Sequence, residues 1–209
     1  MGRFSRMVAG AVLAVALVAV GGCSDGDGGR AGPQGGGATT SPPTAGARFA
    51  FTLVAADVQA MAPQAPPFPE EVKGAVTSSL DTWLGNGVVT PLRSGTPPAG
   101  LEGAFTARAL ARLAAPGADR AALLEEGAPL SGEVTQDRAG ARLTALTAPG
   151  GEVAVVTAQI DVAHTVRAGG QAVAVVRAGE VILVPDGGGW RIDAYDVRTS
   201  RDTVGGGGS

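Results

Sequence analysis

Apolar positions recur at helical spacing in the first half of this chain's folded region and alternate along the second. Val72, Val76, Leu80 and Trp83 share one face, with Ala75 and Leu84 beside them, the period of an amphipathic helix. Pro69 followed by Glu70 and Glu71 marks its start, because proline suits the first turn and acids face the positive end of the helix dipole. Gly85-Asn86-Gly87 marks its end and Pro91 to Pro98 reads as loop. A second helix is expected from Leu101 to Ala114, with Leu101, Phe105, Ala109 and Leu113 on its face, stopped by Pro116-Gly117. A short third one runs from Asp119 to Glu126, capped by Asp119 and closed by Gly127. Beyond it the period becomes two. Arg142 to Ala148, Val153 to Arg167, Ala172 to Val184 and Trp190 to Arg198 are valine-rich and separated by short glycine turns, which predicts an antiparallel meander of hairpins. Glu133 to Asp137 can add a further strand, and Gly179 inside a strand suggests a bulge or bend. Upstream, Arg48 to Met61 fits either period; its aromatic and β-branched residues favour a strand. Helices followed by a meander predict an α+β fold, with the helices on one face of the sheet.

The amino-terminal end carries a different pattern. Arg3 and Arg6 precede an apolar run from Met7 to Val20, and small residues lead to Cys23, the single cysteine. Basic start, short apolar segment and small-residue exit describe a secretory signal peptide; 14 residues fall short of the roughly 20 that a membrane span needs. Val20-Gly21-Gly22-Cys23 resembles the lipobox of bacterial lipoproteins, with Val where that family prefers Leu. The resemblance implies cleavage before Cys23, diacylglycerol on its sulfur, and an anchor on the extracytoplasmic face of the cell membrane; more than one acyl chain makes such an anchor stable. Residues 1–22 are therefore expected to be signal peptide and residues 23–47 a lipidated cysteine with a Gly/Pro-rich tether too poor in apolar surface to fold. Residues 48–204 form one domain, and residues 205–209 a flexible Gly-rich tail.

Composition narrows the function. Net charge is −3, and moves to −5 without Arg3 and Arg6. A mildly acidic protein lacking a basic cluster is a poor ligand for nucleic acid. With Cys23 acylated no thiol remains for a disulfide, a zinc–thiolate site or a nucleophile. One histidine builds no multi-histidine metal site, and no G-x-S-x-G, P-loop or H-E-x-x-H motif occurs, so no metal or cofactor is expected.

The order of elements from Glu70 to Arg198, and above all the last hairpin from Val181-Ile182-Leu183-Val184 through a glycine turn to Trp190-Arg191-Ile192-Asp193-Ala194-Tyr195, resembles the NTF2-like (SnoaL-like) cone fold. The nearest likeness is to the small lipoproteins and Mce-associated proteins built on that fold. The resemblance implies helices packed on a curved antiparallel meander around a cone cavity. Its members include isomerases, dehydratases and hydrolases as well as many domains with no catalytic role, so fold alone does not choose a function.

His164 is the one side chain titrating near neutrality without help. Ala154, Val156, Ala158, Ile160, Val162, His164 and Val166 share one face of their strand, the face expected to meet the helices. Ile160, Trp83 and Trp190 are the apolar residues expected around it, and with His164 they make the candidate ligand site. His164 is the only catalytic candidate, and a core histidine is the preferred reading because a general base needs a partner. Asp161, three residues away, falls on the opposite face. Asp193 and Tyr195 are expected on the solvated face of the last strand, opposite Trp190 and Ile192, and Glu125-Glu126 is read as a helix end. The function expected is a non-catalytic, membrane-anchored domain binding a partner protein or a small apolar ligand. One alternative is a cone-fold enzyme with His164 as base; another is a structural accessory of a cell-envelope complex.

Overall fold

A computed structural model describes residues 49–59, 66–126 and 130–204. The expected signal peptide, the Cys23 lipidation, the expected tether and the expected tail lie outside the described residues. The elements are β1 (Thr52–Gln59), α1 (Glu70–Trp83), a π-helical turn (Leu84–Val89), α2 (Thr90–Ser94), α3 (Ala107–Leu113), α4 (Ala118–Leu123), β2 (Glu133–Thr147), β3 (Val153–Ala168), β4 (Gln171–Asp186) and β5 (Gly189–Val204). The sheet order is β1-β2-β3-β4-β5. Strands β2 to β5 form the expected antiparallel meander, while β1 pairs parallel to β2, so the sheet is mixed rather than purely antiparallel. The ambiguous segment near residue 50 is thus a strand. Helices α1, α3 and α4 pack on β5, and α2 on β2. An apolar core of Val76, Leu80, Phe105, Leu143, Ile160 and Leu183, with others, fills the space between the layers.

The helix expected to stop at Gly85-Asn86-Gly87 does not stop. It widens into the π-helical turn and runs on as α2 to Gly95, whose φ of 70° closes it. Gly87 serves packing rather than termination: a Cβ there would lie 3.0 Å from both the Trp83 ring and Leu124. Leu84, Val88, Val89 and Leu92 are buried, and their burial outweighs the roughly 1 kcal/mol that each helical glycine costs relative to alanine. The expected loop at Pro91 to Pro98 accordingly begins as helix. In α3 the start is later than Leu101, because Phe105 pairs with Ile192 in a parallel bridge and the Thr106 hydroxyl accepts a hydrogen bond from Ala109 N–H at 3.2 Å. The third helix starts one residue before its expected cap and stops at Leu123, where Leu124 turns extended.

The strands are longer than the turn signals suggested. The segments at Glu133 to Asp137 and Arg142 to Ala148 join as β2, with an irregularity between Gln136 and Arg138, and β5 extends to Val204. Gly179 is not a bulge: its pairing runs without a break on both sides. It has a φ of 150°, and a Cβ there would lie 2.1 Å from the Asp196 carbonyl oxygen, so glycine permits a close backbone approach. The irregularity of this hairpin falls three residues later. Ile182 faces Ala194 while Leu183 faces Ile192, which leaves Asp193 as the extra residue of a β-bulge. An extra residue reverses the faces of everything beyond it. Trp190 and Ile192 point to the helices before the bulge; Val197, buried, does so after it.

Candidate functional site

His164 sits midway along β3, opposite Gln136 on β2 and Val175 on β4. It is fully buried, as the alternation of β3 demands. Neither Nδ1 nor Nε2 has a hydrogen-bond partner, and Gln136 Oε1 beside it is also unsatisfied. The Phe49 ring lies 6.1 Å away, tilted by 36°, with the Arg93 guanidinium 5.7 Å from the centre of that ring. Burial, reinforced by the charge of Arg177, pushes the His164 pKa down to about 4, against smaller opposing effects of Asp137 and Glu125. The imidazole is therefore neutral at neutral pH. Asp161 points away, as expected, and pairs with Arg138 at 2.7 Å.

Ile160 and Trp190, two of the residues expected around His164, lie far from it along the strands. Ile160 faces Gly179 and is buried four positions along the strand. Trp83 is buried and donates its indole N–H to the Leu123 carbonyl at 2.8 Å, while its ring stacks on Phe51 at 6.0 Å. Trp190 is opposite Pro185, ten positions along β4 from Val175, or roughly 30 Å at strand spacing. It lines a groove of about 590 Å³ at the hairpin ends with Pro69, Val72 and Ala75. Five concavities of the described surface, of about 240 to 620 Å³, are lined by residues other than His164.

Asp193 and Tyr195 are not on a solvated sheet face. The bulge turns them towards the helices. Asp193 accepts the Thr106 hydroxyl at 2.8 Å and pairs with Arg108, which ties the start of α3 to β5. Burial raises the pKa of Asp193, but the bonds from Arg108 and Thr106 outweigh it and hold the carboxyl below its usual range. The Tyr195 ring lies under Arg112 at 4.8 Å, and its hydroxyl reaches Asp119 at 3.4 Å.

The largest polar feature of the interior was not singled out from the sequence. Arg177 on β4 is fully buried and forms an ion pair with Glu125, itself buried, just beyond α4. Arg177 Nε donates to the Ala122 carbonyl at 3.2 Å. Arg201 on β5 gives Nη2 to both Glu125 oxygens at 3.1 Å, and the Glu125 backbone N–H donates to the Gly87 carbonyl at 2.9 Å. Glu125 is thus a junction between the helical run, β4 and β5 rather than a helix end. Burial lowers the Arg177 pKa while Glu125 opposes that shift. A signal was present: Arg177 is in phase with Val175, Val181 and Leu183, so alternation alone puts an arginine on the apolar face and demands a buried acid nearby.

Among the described residues no group of three or more His, Cys, Asp or Glu side chains is arranged to hold a metal ion, and no helix is long and apolar enough to cross a membrane. The chain matches no protein-family model, no curated protein and no solved structure.

Proposed function

We propose that this chain is a lipid-anchored extracytoplasmic protein whose NTF2-like cone domain docks a partner protein and catalyses nothing. The anchor rests on the run ending at Val20-Gly21-Gly22-Cys23. The cone assignment rests on the order of helices and meander, joined by an α+β architecture with a long bent hairpin at its end.

One observation carries the non-catalytic part. Among the described residues His164 is fully buried with no hydrogen-bond partner, and the five concavities above are lined by other residues. A general base needs a proton donor within about 3 Å and an ionisable or polar partner to orient it; His164 has neither among the described residues. Docking is favoured by the sheet face away from the helices, which no described helix covers and where Val54 is 64% and Leu146 53% exposed. Ile182 adds to that face. Exposed apolar side chains gathered on one face mark interaction surfaces more often than isolated ones do.

Complementation of a deletion strain tests the reading. His164→Gln is expected to lose function only in proportion to protein level, whereas Leu146→Asp with Ile182→Asp is expected to lose function at an unchanged melting temperature. Lost function in a His164→Gln protein of normal level and stability would instead make the cone an enzyme. Mass spectrometry of the mature amino terminus tests the anchor: an unmodified thiol on Cys23 refutes it.

A further inference from the structure

We propose that the groove between the end of α4 and the far end of β4 and β5 binds a small amphipathic carboxylate, with the anionic head on Arg201 and the alkyl chain along Leu124, Leu130 and Val173. The groove encloses about 430 Å³, within the size range of small-molecule sites. Leu124, Leu130 and Val173 give it apolar walls, Thr203 adds a hydroxyl, and Glu125, Glu126 and Arg201 supply its charged groups.

The charge count at that end identifies the ligand. Glu126 is matched by Arg120 at 2.6 Å. Glu125 alone is left to serve two arginines, Arg177 and Arg201. The cluster therefore holds one positive charge more than its carboxylates balance. It also holds unused donors: among the described residues Arg201 employs only Nη2, and Arg177 Nη1, behind the groove wall, is buried with no partner. Arg201 is partly exposed where it lines the groove. A guanidinium with a free edge beside an apolar wall suits a carboxylate, which accepts two parallel N–H bonds. A neutral ligand of the same shape would leave the excess charge unmatched, and a purely apolar one would desolvate Arg201 without return. The site is separate from His164 and independent of the anchor and of the docking face.

Calorimetric titration of the purified full chain with sodium octanoate, and with octanamide as the neutral counterpart, tests the assignment. Octanoate is expected to saturate one site, with octanamide at least tenfold weaker. Arg201→Gln is expected to weaken octanoate tenfold or more and to leave octanamide unchanged. Thr203→Glu, at an exposed wall position, is expected to repel octanoate alone, and it keeps the test open if Arg201→Gln fails to fold. Equal affinity for the acid and the amide, absence of saturable octanoate binding, or indifference of octanoate to both substitutions would overturn the proposal. None of these outcomes bears on the complementation result for His164 or the outer sheet face.

Discussion

Lowering the pH should destabilise this domain through His164. In the unfolded chain the imidazole titrates near 6.5, while in the folded core burial brings it to about 4. Between those values the unfolded state binds a proton that the folded state refuses, so stability rises with pH there. The contribution is fully present above about pH 7 and is lost as pH falls through 6.5 towards 4. The full window amounts to about 3 kcal/mol, and the part between pH 7 and pH 5 to about 2 kcal/mol. For a domain of this size that part corresponds to a fall in melting temperature of about 4–8 °C. Urea unfolding followed by Trp83 fluorescence at pH 7 and pH 5, for the wild type and for His164→Gln, isolates the effect. At pH 7 the variant should be less stable by about 1–3 kcal/mol, because glutamine does not fill the place of the imidazole ring in the closed core and brings a buried amide into it. At pH 5 the two should converge, since only the wild type has lost the histidine contribution. Other groups cancel in this difference. The depressed Asp193 adds stability that is lost only below its ordinary value of 3.8, and Asp81, raised by burial against the Phe51 N–H bond, acts in the opposite sense. Equal losses in the two proteins between pH 7 and pH 5 would refute the reasoning.

Glu125→Ala leaves Arg177 charged and buried, and should cost about 3–5 kcal/mol, whereas Glu125→Leu with Arg177→Met should recover most of that loss; a double-mutant cycle in urea measures both. Gly179→Ala forces a Cβ to 2.1 Å from the Asp196 carbonyl oxygen and should cost about 3 kcal/mol or more. Gly140→Ala, which meets the Val54 methyl at 3.4 Å and the Asp161 carbonyl oxygen at 3.9 Å, both ordinary contacts, should stay within about 1 kcal/mol of wild type, so matched thermal melts of the two test the close-approach argument. Thr106→Ala removes both the cap on Ala109 and a bond to Asp193 and should lower stability by about 1–2 kcal/mol, read in the same melts.

Patterning alone located the helical run, the four long strands and the burial of His164 and Trp83, because each depends on a side chain's period and neighbours along the chain. Features set by contacts far apart in sequence escaped it. Gly85-Asn86-Gly87 carries every local mark of a helix stop, yet the close packing of Gly87 against Leu124 and Trp83 overrides them. The bulge at Asp193 has no glycine or proline to announce it. It inverts half of β5, so Asp193 and Tyr195 were assigned the wrong face while Trp190 and Ile192 were assigned the right one. Parallel pairing of β1 joins it to β2, from Thr52 opposite Gly140 to Gln59 opposite Leu146, segments too far apart in sequence for any local pattern to announce. The grouping of His164 with Trp190 failed for a simpler reason: sharing an inward face does not bring together residues ten positions apart on a strand pair. Arg177 was legible and passed over, since an arginine in phase with valines reads as a surface residue until its depth is known.

The junction at Glu125 also imposes an order of assembly. Its two partners lie 52 and 76 residues further on, in strands that leave the ribosome well after the helices do. Until β4 and β5 have formed, closing the helical layer would strand a carboxylate in an apolar setting with nothing to neutralise it, at a cost of several kcal/mol. The end of α4 therefore cannot settle onto the sheet early. The helical layer, made before the strands it needs, is completed only after them, and the polypeptide stays open along that seam until β5 arrives.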